Sequence, residues 1–251
     1  MKNRMSERHT NLLRFLIELR KRVLHSLLAL GIIFSILFYF ANNLYTLLAL
    51  PLLKHLPHGQ GLIATNIVAP FFVPLELTLV VSLFLSVPIF LYQLWAFIAP
   101  ALYQHERHLI WPLLFISTLL FYVGIGFAYF VIFPLIFGFL TQSAPRGVLV
   151  SPDISQYLDF TLKLFFTFGI IFEVPVITIV LIWAGVTSRA ALIKVRPYAI
   201  VAAFVIGMLL APPDVLSQTL VAVPLWFLFE AGIFFSRFFV VDRVSSGEDN
   251  I

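Results

Sequence analysis

Apolar residues in this chain gather into six runs: Val23 to Ala41, Leu77 to Ile98, Leu113 to Phe139, Phe160 to Ala184, Tyr198 to Leu210 and Val215 to Phe235. About 20 helical residues cross the ~30 Å hydrocarbon layer of a bilayer. The pattern therefore predicts an all-α integral membrane protein with six transmembrane helices. Segments bearing Pro, Gly and Asn separate the runs at residues 42–74, 99–112, 140–159 and 185–197, and at the Ala211-Pro212-Pro213-Asp214 turn. No charged linker or compositional break divides the chain. One polytopic domain over residues 1–251 is expected, with an N-terminal segment 1–22, a six-helix bundle 23–236 and a tail 237–251.

Two runs depart from the simple pattern of a full-length span. The first follows Arg20-Lys21-Arg22, as the core of a cleavable signal would. It is too long for that, and Phe40-Ala41-Asn42-Asn43 lacks the small-x-small cleavage site, so it reads as a retained span. The fifth covers only ~20 Å as a helix. Either flanking residues such as Arg196 extend it or the bilayer thins around it, and the last two helices are expected to be short.

Composition narrows the class. Of 251 residues, 61% are hydrophobic and 11% charged, against roughly 25% charged in a soluble domain. The absence of cysteine from the sequence excludes disulfides, thiolate metal sites and thiol nucleophiles. The net charge of +4 does not point to nucleic acid, because most cations flank spans. With the N-terminus inside, the inner segments hold Lys2, Arg4, Arg8, Arg14, Arg20, Lys21, Arg22, Arg107, Arg189, Lys194, Arg196, Arg237 and Arg243. Lys54 and Arg146 fall outside and Lys163 within a span, which predicts an N-in, C-in topology.

Candidate chemistry begins with charge inside a span. Glu173 stands midway along the fourth run, just before Pro175, and belongs in a bundle interior or a wet concavity. Its carboxyl either locks helices together by a hydrogen bond or accepts a polar group from elsewhere. Lys163 lies four residues after Asp159, so an i,i+4 pair with snorkelling accounts for it, and interfacial positions account for Glu76 and Glu230. On the basic-loop side, Phe97-Ile98-Ala99-Pro100-Ala101-Leu102 leads to Glu106. Apolar side chains beside a carboxylate suit a ligand with cationic and greasy parts, arginine above all. A surface pair of Glu106 with Arg107 or His108 is the plain alternative. Leu16 to Arg22 reads as an interfacial helix turning into the first span, with Glu18 placed either to pair with Arg22 or to serve as a second acceptor. Met208, the Pro212-Pro213-Asp214 turn, Ser217, Gln218 and Thr219 form a polar edge of the kind that joins helices, and it suits docking of another helix. His55 with His58, and His105 with His108, have ligand-like spacing but no third strong ligand nearby, so no metal is expected. No phosphate loop, zinc-protease motif or nucleophile elbow appears in the sequence.

Four stretches, at Leu16 to Arg22, Tyr92 to Arg107, Phe172 to Pro175 and Gly207 to Asp214, together resemble the TatC family, the multispanning receptor subunit of the twin-arginine protein translocase. The likeness covers about Leu12 to Phe239. It implies export of folded proteins driven by the proton-motive force, with the single-span subunits TatA and TatB as partners, self-association in a larger complex, and no cofactor. By the family pattern, Glu106 and Glu18 face the paired arginines of a signal peptide, with Phe97, Leu102 and Arg20 supporting that site. Glu173 lines the membrane concavity, Met208 and Gln218 belong to a partner-helix groove, and Pro51 and Asp214 are outer-side functional positions. Ala211 departs from the pattern where a hydroxyl-bearing residue is usual, and Gln104 and His108 replace basic neighbours of Glu106. The leading expectation is a non-enzymatic receptor in the bacterial inner membrane. The rival is an ion- or proton-coupled small-solute transporter that titrates Glu173.

Overall fold

The computed structural model describes the backbone at residues 2–53, 62–98, 110–142, 152–210 and 215–239. Side chains are described from residue 17 onward within those ranges, except at 51, 52, 98, 110, 139–142, 216, 238 and 239. The helices in chain order are α1 (Lys2–Leu37), α2 (Ala41–Leu53), α3 (Ala69–Ile98), α4 (Ile110–Phe127), α5 (Phe133–Gln142), α6 (Ile154–Ile171), α7 (Val174–Trp183), α8 (Arg189–Leu210) and α9 (Val215–Phe239). Six helical stretches are long and apolar enough to cross a membrane, one for each run in the sequence.

Three of those spans are composite. A short 3-10 turn at Phe38–Phe40 joins α1 to α2, and a π turn at Ala128–Ile132 joins α4 to α5. The fourth span breaks at Phe172 and Glu173, where Pro175 takes the start of α7 because a proline lacks the N–H that an unbroken helix would need there.

The structure corrects several expected boundaries. The N-terminal segment and the first span form one continuous helix, since α1 runs unbroken from Lys2. The interruption expected over 42–74 is shorter, because α2 carries the helix through Asn42 and Asn43 to Leu53 and α3 begins at Ala69. Asparagine in a helix costs only about 0.7 kcal/mol relative to alanine, too little to break an otherwise apolar helix. The fifth span grows at its N-terminal end to Arg189, so Lys194 and Arg196 extend the helix as their flanking position allowed. At 22 and 21 residues, the last two spans are still the shortest of the six.

The helices cluster into two compact units, Met1–Ala49 with Asn66–Thr118, and Leu50–Thr65 with Leu119–Ile251. In the first, α1 packs along α3. Small hydroxyls line the buried face of α3: Thr78, Ser82 and Ser86 each donate to the carbonyl four residues back, at 2.6 to 2.7 Å. Such side chains satisfy themselves within the helix and let helices approach closely in lipid, where no hydrophobic effect draws them together. In the second unit α9 packs on α7 and α8. Its other core is aromatic: Phe133, wholly buried, has Phe137 at 4.7 Å and Tyr157 at 5.7 Å between ring centres.

Candidate functional site

Midway along α1, the run Leu-Ile-Glu-Leu-Arg-Lys-Arg is rich in helix formers, and the helix puts Glu18 and Arg22 one turn apart on the same face. The Arg22 guanidinium donates twice to one oxygen of Glu18, from Nε at 3.1 Å and Nη2 at 2.6 Å. Nη2 also donates to the carbonyl of Ala96 at 3.1 Å, and Nη1 to the Gln93 side chain at 3.3 Å. The expected Glu18–Arg22 pair is therefore formed, and it is tied to the last turn of α3. Arg22 is 21% exposed and Glu18 47%. Arg20 is exposed and Phe97, next to Ala96, is half-buried. Leu102 and Glu106, with Gln104 and the histidines at 55, 58, 105 and 108, lie outside the described residues.

Glu173 sits at the break between α6 and α7 and is buried, 9% exposed. Its amide donates to the Ile170 carbonyl and its own carbonyl accepts from Ile177, so the chain keeps its backbone bonds through the break. Two glycines let neighbours reach this region. A side chain at Gly124 on α4 would meet the Phe168 carbonyl oxygen at 2.5 Å and Phe172 Cβ at 3.0 Å. One at Gly232 on α9 would meet Pro175 Cα at 3.0 Å.

The α8–α9 hairpin is equally close. A Cβ at Gly207 would lie 2.8 Å from the Gln218 carbonyl oxygen, and the Gln218 side chain donates to the Phe204 carbonyl at 2.9 Å. Met208 is 56% exposed. Arg196 on α8 forms an ion pair with Glu230 on α9, a cross-helix partnership that the interfacial reading of Glu230 did not foresee. Lys163 and Asp159, by contrast, are both exposed and form no ion pair with each other. An i,i+4 attraction in the open gains too little to hold two flexible side chains. Asp214 and Ala211 lie outside the described residues, as does the side chain of Pro51, whose backbone is part of α2. An open cleft of about 660 Å³ runs between the π turn and the first half of α9, lined by Phe127, Val131, Thr219 and Val223 among others.

One well-built polar site escaped the sequence reading. Asp153 caps α6, accepting from the amides of Ser155 at 2.8 Å and Gln156 at 3.2 Å. Its other oxygen accepts from the Thr65 hydroxyl at 2.6 Å and the Thr65 amide at 2.9 Å. Beside it, Ile63 exchanges backbone bonds with Pro152 and Ile154. The Thr65 hydroxyl foremost, then the amides, hold the Asp153 carboxyl down at about 2, against an ordinary 3.8. An aspartate just ahead of an apolar run is a readable helix start, but nothing local marks Thr65 as its partner.

Residues 14–224 match the family model TatC, described as Sec-independent protein translocase protein. The chain is similar to the Sec-independent protein translocase protein TatC of Escherichia coli (strain K12), 59% identical over 91% of this chain and 89% of that one. It is also similar to the protein of that name from Haemophilus influenzae, 55% identical over the same shares. Among solved structures, the crystal structure of the twin arginine translocase receptor TatC superposes with a TM-score of 0.79 at 42% identity, covering 89% of this chain and 98% of the other.

Proposed function

The chain belongs to the TatC family of Sec-independent protein translocases, and from that premise we propose that it is the receptor subunit, binding the paired arginines of export signals at carboxylates on the inner face of the membrane. It is a multi-pass inner-membrane protein and a transport subunit, not an enzyme. The family's protein substrates weigh against a small-solute transporter built on Glu173.

The observation that carries the reading is the Glu18 carboxylate. It is half-exposed and forked by Arg22, which is itself tied to the Ala96 carbonyl in the last turn of α3, and it lies among the cations that the expected N-in, C-in topology leaves on the inner side. A guanidinium meets a carboxylate in a planar fork, and a neighbouring aromatic shelters that contact from water. Glu106 supplies the second acceptor, with Leu102 and Phe97 offering apolar contact and Arg20 an adjacent cation that sets the local field. The signal's apolar segment enters the membrane toward Glu173. By the likeness to the family, the proton-motive force supplies the drive. Single-span subunits of the TatA and TatB kind dock along the edge that bears Met208 and Gln218, further copies of the chain complete the complex, and Pro51 and Asp214 act on the outer side.

Photocrosslinking from residue 106 to a twin-arginine precursor tests the site. Charge reversal at Glu106, read by a crosslinker at residue 97, should abolish the crosslink with the chain at its normal membrane level. A retained crosslink rejects the role.

A further inference from the structure

Arg22 stands where an incoming guanidinium would go. It is already forked onto one oxygen of Glu18, while the other oxygen takes no hydrogen bond from a described residue. It is not a loose surface cation, because Gln93 and the Ala96 carbonyl fix its other N–H groups to α3. Two contacts from a guanidinium that two others anchor to α3 hold the carboxylate at a set height and orientation, and half of its lone pairs are spent before any ligand arrives.

We propose that Arg22 is a specificity-determining positioning residue, which makes the Glu18 site prefer arginine over lysine in the signal it binds. This rests on the receptor reading above. A carboxylate whose charge is offset by a fixed neighbour offers little to a compact charge such as an ammonium, whose rotatable donors have no fixed fork geometry and whose binding leans on Coulomb attraction. It still offers a well-oriented oxygen to a planar donor that places its N–H groups by direction. The resident guanidinium also makes the site unattractive to a lone cation, so that a second contact elsewhere, as at Glu106, becomes necessary for binding. A specificity device of this kind works by weakening the wrong ligand more than the right one.

The test uses the full chain with its native partner subunits in lipid nanodiscs, and two synthetic signal peptides identical except for Arg-Arg or Lys-Lys. Arg22→Gln should narrow the affinity ratio between them by about two- to fivefold, the worth of one exposed ion pair, mainly because Lys-Lys binding tightens. Arg22→Lys, which keeps the charge, should leave the ratio near that of the native chain. Where Arg22→Gln does not accumulate, Arg22→Met serves, with the same expectation. A ratio unmoved in the neutral variants, or an equal fall for both peptides, overturns the proposal, since that is what a merely structural brace would produce. Glu18→Gln separates the two ideas. If it leaves Arg-Arg binding intact, the receptor site itself is misplaced. If it weakens that binding while the ratio stays fixed in Arg22→Gln, only the specificity role fails.

Discussion

Thr65 gives both its amide and its hydroxyl to a single oxygen of Asp153, across 88 positions of sequence. With six spans, the connection holding Thr65 and the one holding Asp153 leave the membrane on the same side, so this contact staples two loops that chain alternation alone brings to one face. The other Asp153 oxygen caps α6, and one side chain therefore fixes both a helix start and a loop.

A pH dependence follows, with a definite sign. The folded-state carboxyl lies near 2 and the unfolded one near 3.8. Its contribution to stability is thus complete above the unfolded value and lost as pH falls from 3.8 through about 2. The melting temperature of the native chain should exceed that of Asp153→Asn at neutral pH, and the gap should close over that acid window. Thr65→Val should give a smaller deficit of the same kind. A gap that persists below the window would place the stabilisation elsewhere than in the charge.

Gly124 and Gly126 on α4 make a matched pair. A methyl group at 124 would collide with the Phe168 backbone, whereas one at 126 meets nothing within 4 Å. Gly124→Ala should cost about 1–3 kcal/mol through overpacking. Gly126→Ala should be neutral or gain up to about 1 kcal/mol from helix propensity. Thermal unfolding in one detergent compares them, and equal effects would mean that α4 does not pack on α6 as described.

These contacts also show what the chain's pattern revealed and what it hid. The six spans were legible because the bilayer sets one length scale and runs of Phe, Leu, Ile and Val meet it without reference to one another. The Glu18–Arg22 pair was legible because i,i+4 spacing is local. The break at Glu173 was half legible: Pro175 marks it, but the approach of Gly124 and Gly232 depends on helix packing that no local pattern carries. Thr65 with Asp153 and Arg196 with Glu230 were hidden for the same reason, since each joins segments whose neighbourhood is set by the whole bundle. The continuation of the helix through Asn42 and Asn43 was hidden because turn-forming residues stand there, although the apolar stretch around them carries α2 to Leu53.

The Arg196–Glu230 pair ties α8 to α9 about four turns from their connection. Both side chains are partly exposed, so a double-mutant cycle with Arg196→Gln and Glu230→Gln should give a coupling of only about 0.2–1 kcal/mol, reduced by added salt. Exchanging the two charges in one double variant should restore most of what either single change loses. A coupling of zero at low salt would show that the hairpin is held by Gly207 and Gln218 without help from the charges.

Cysteine reactivity discriminates the two residues assigned to the partner-helix groove. The chain has no native cysteine, so a single introduced thiol reports on its own position. Met208 is 56% exposed, and Met208→Cys should react readily and form disulfides with a cysteine placed in the span of a TatA- or TatB-type subunit. Gln218 spends its amide on the Phe204 carbonyl and lies against Gly207. Gln218→Cys should therefore crosslink more weakly, and should also lower thermal stability by about 0.5–1.5 kcal/mol for the lost hydrogen bond. Equal and strong crosslinking at both positions would require the hairpin to open when a partner docks. Labelling at Met208 by lipid-soluble reagents, with no partner disulfide, would move the docking surface to another helix.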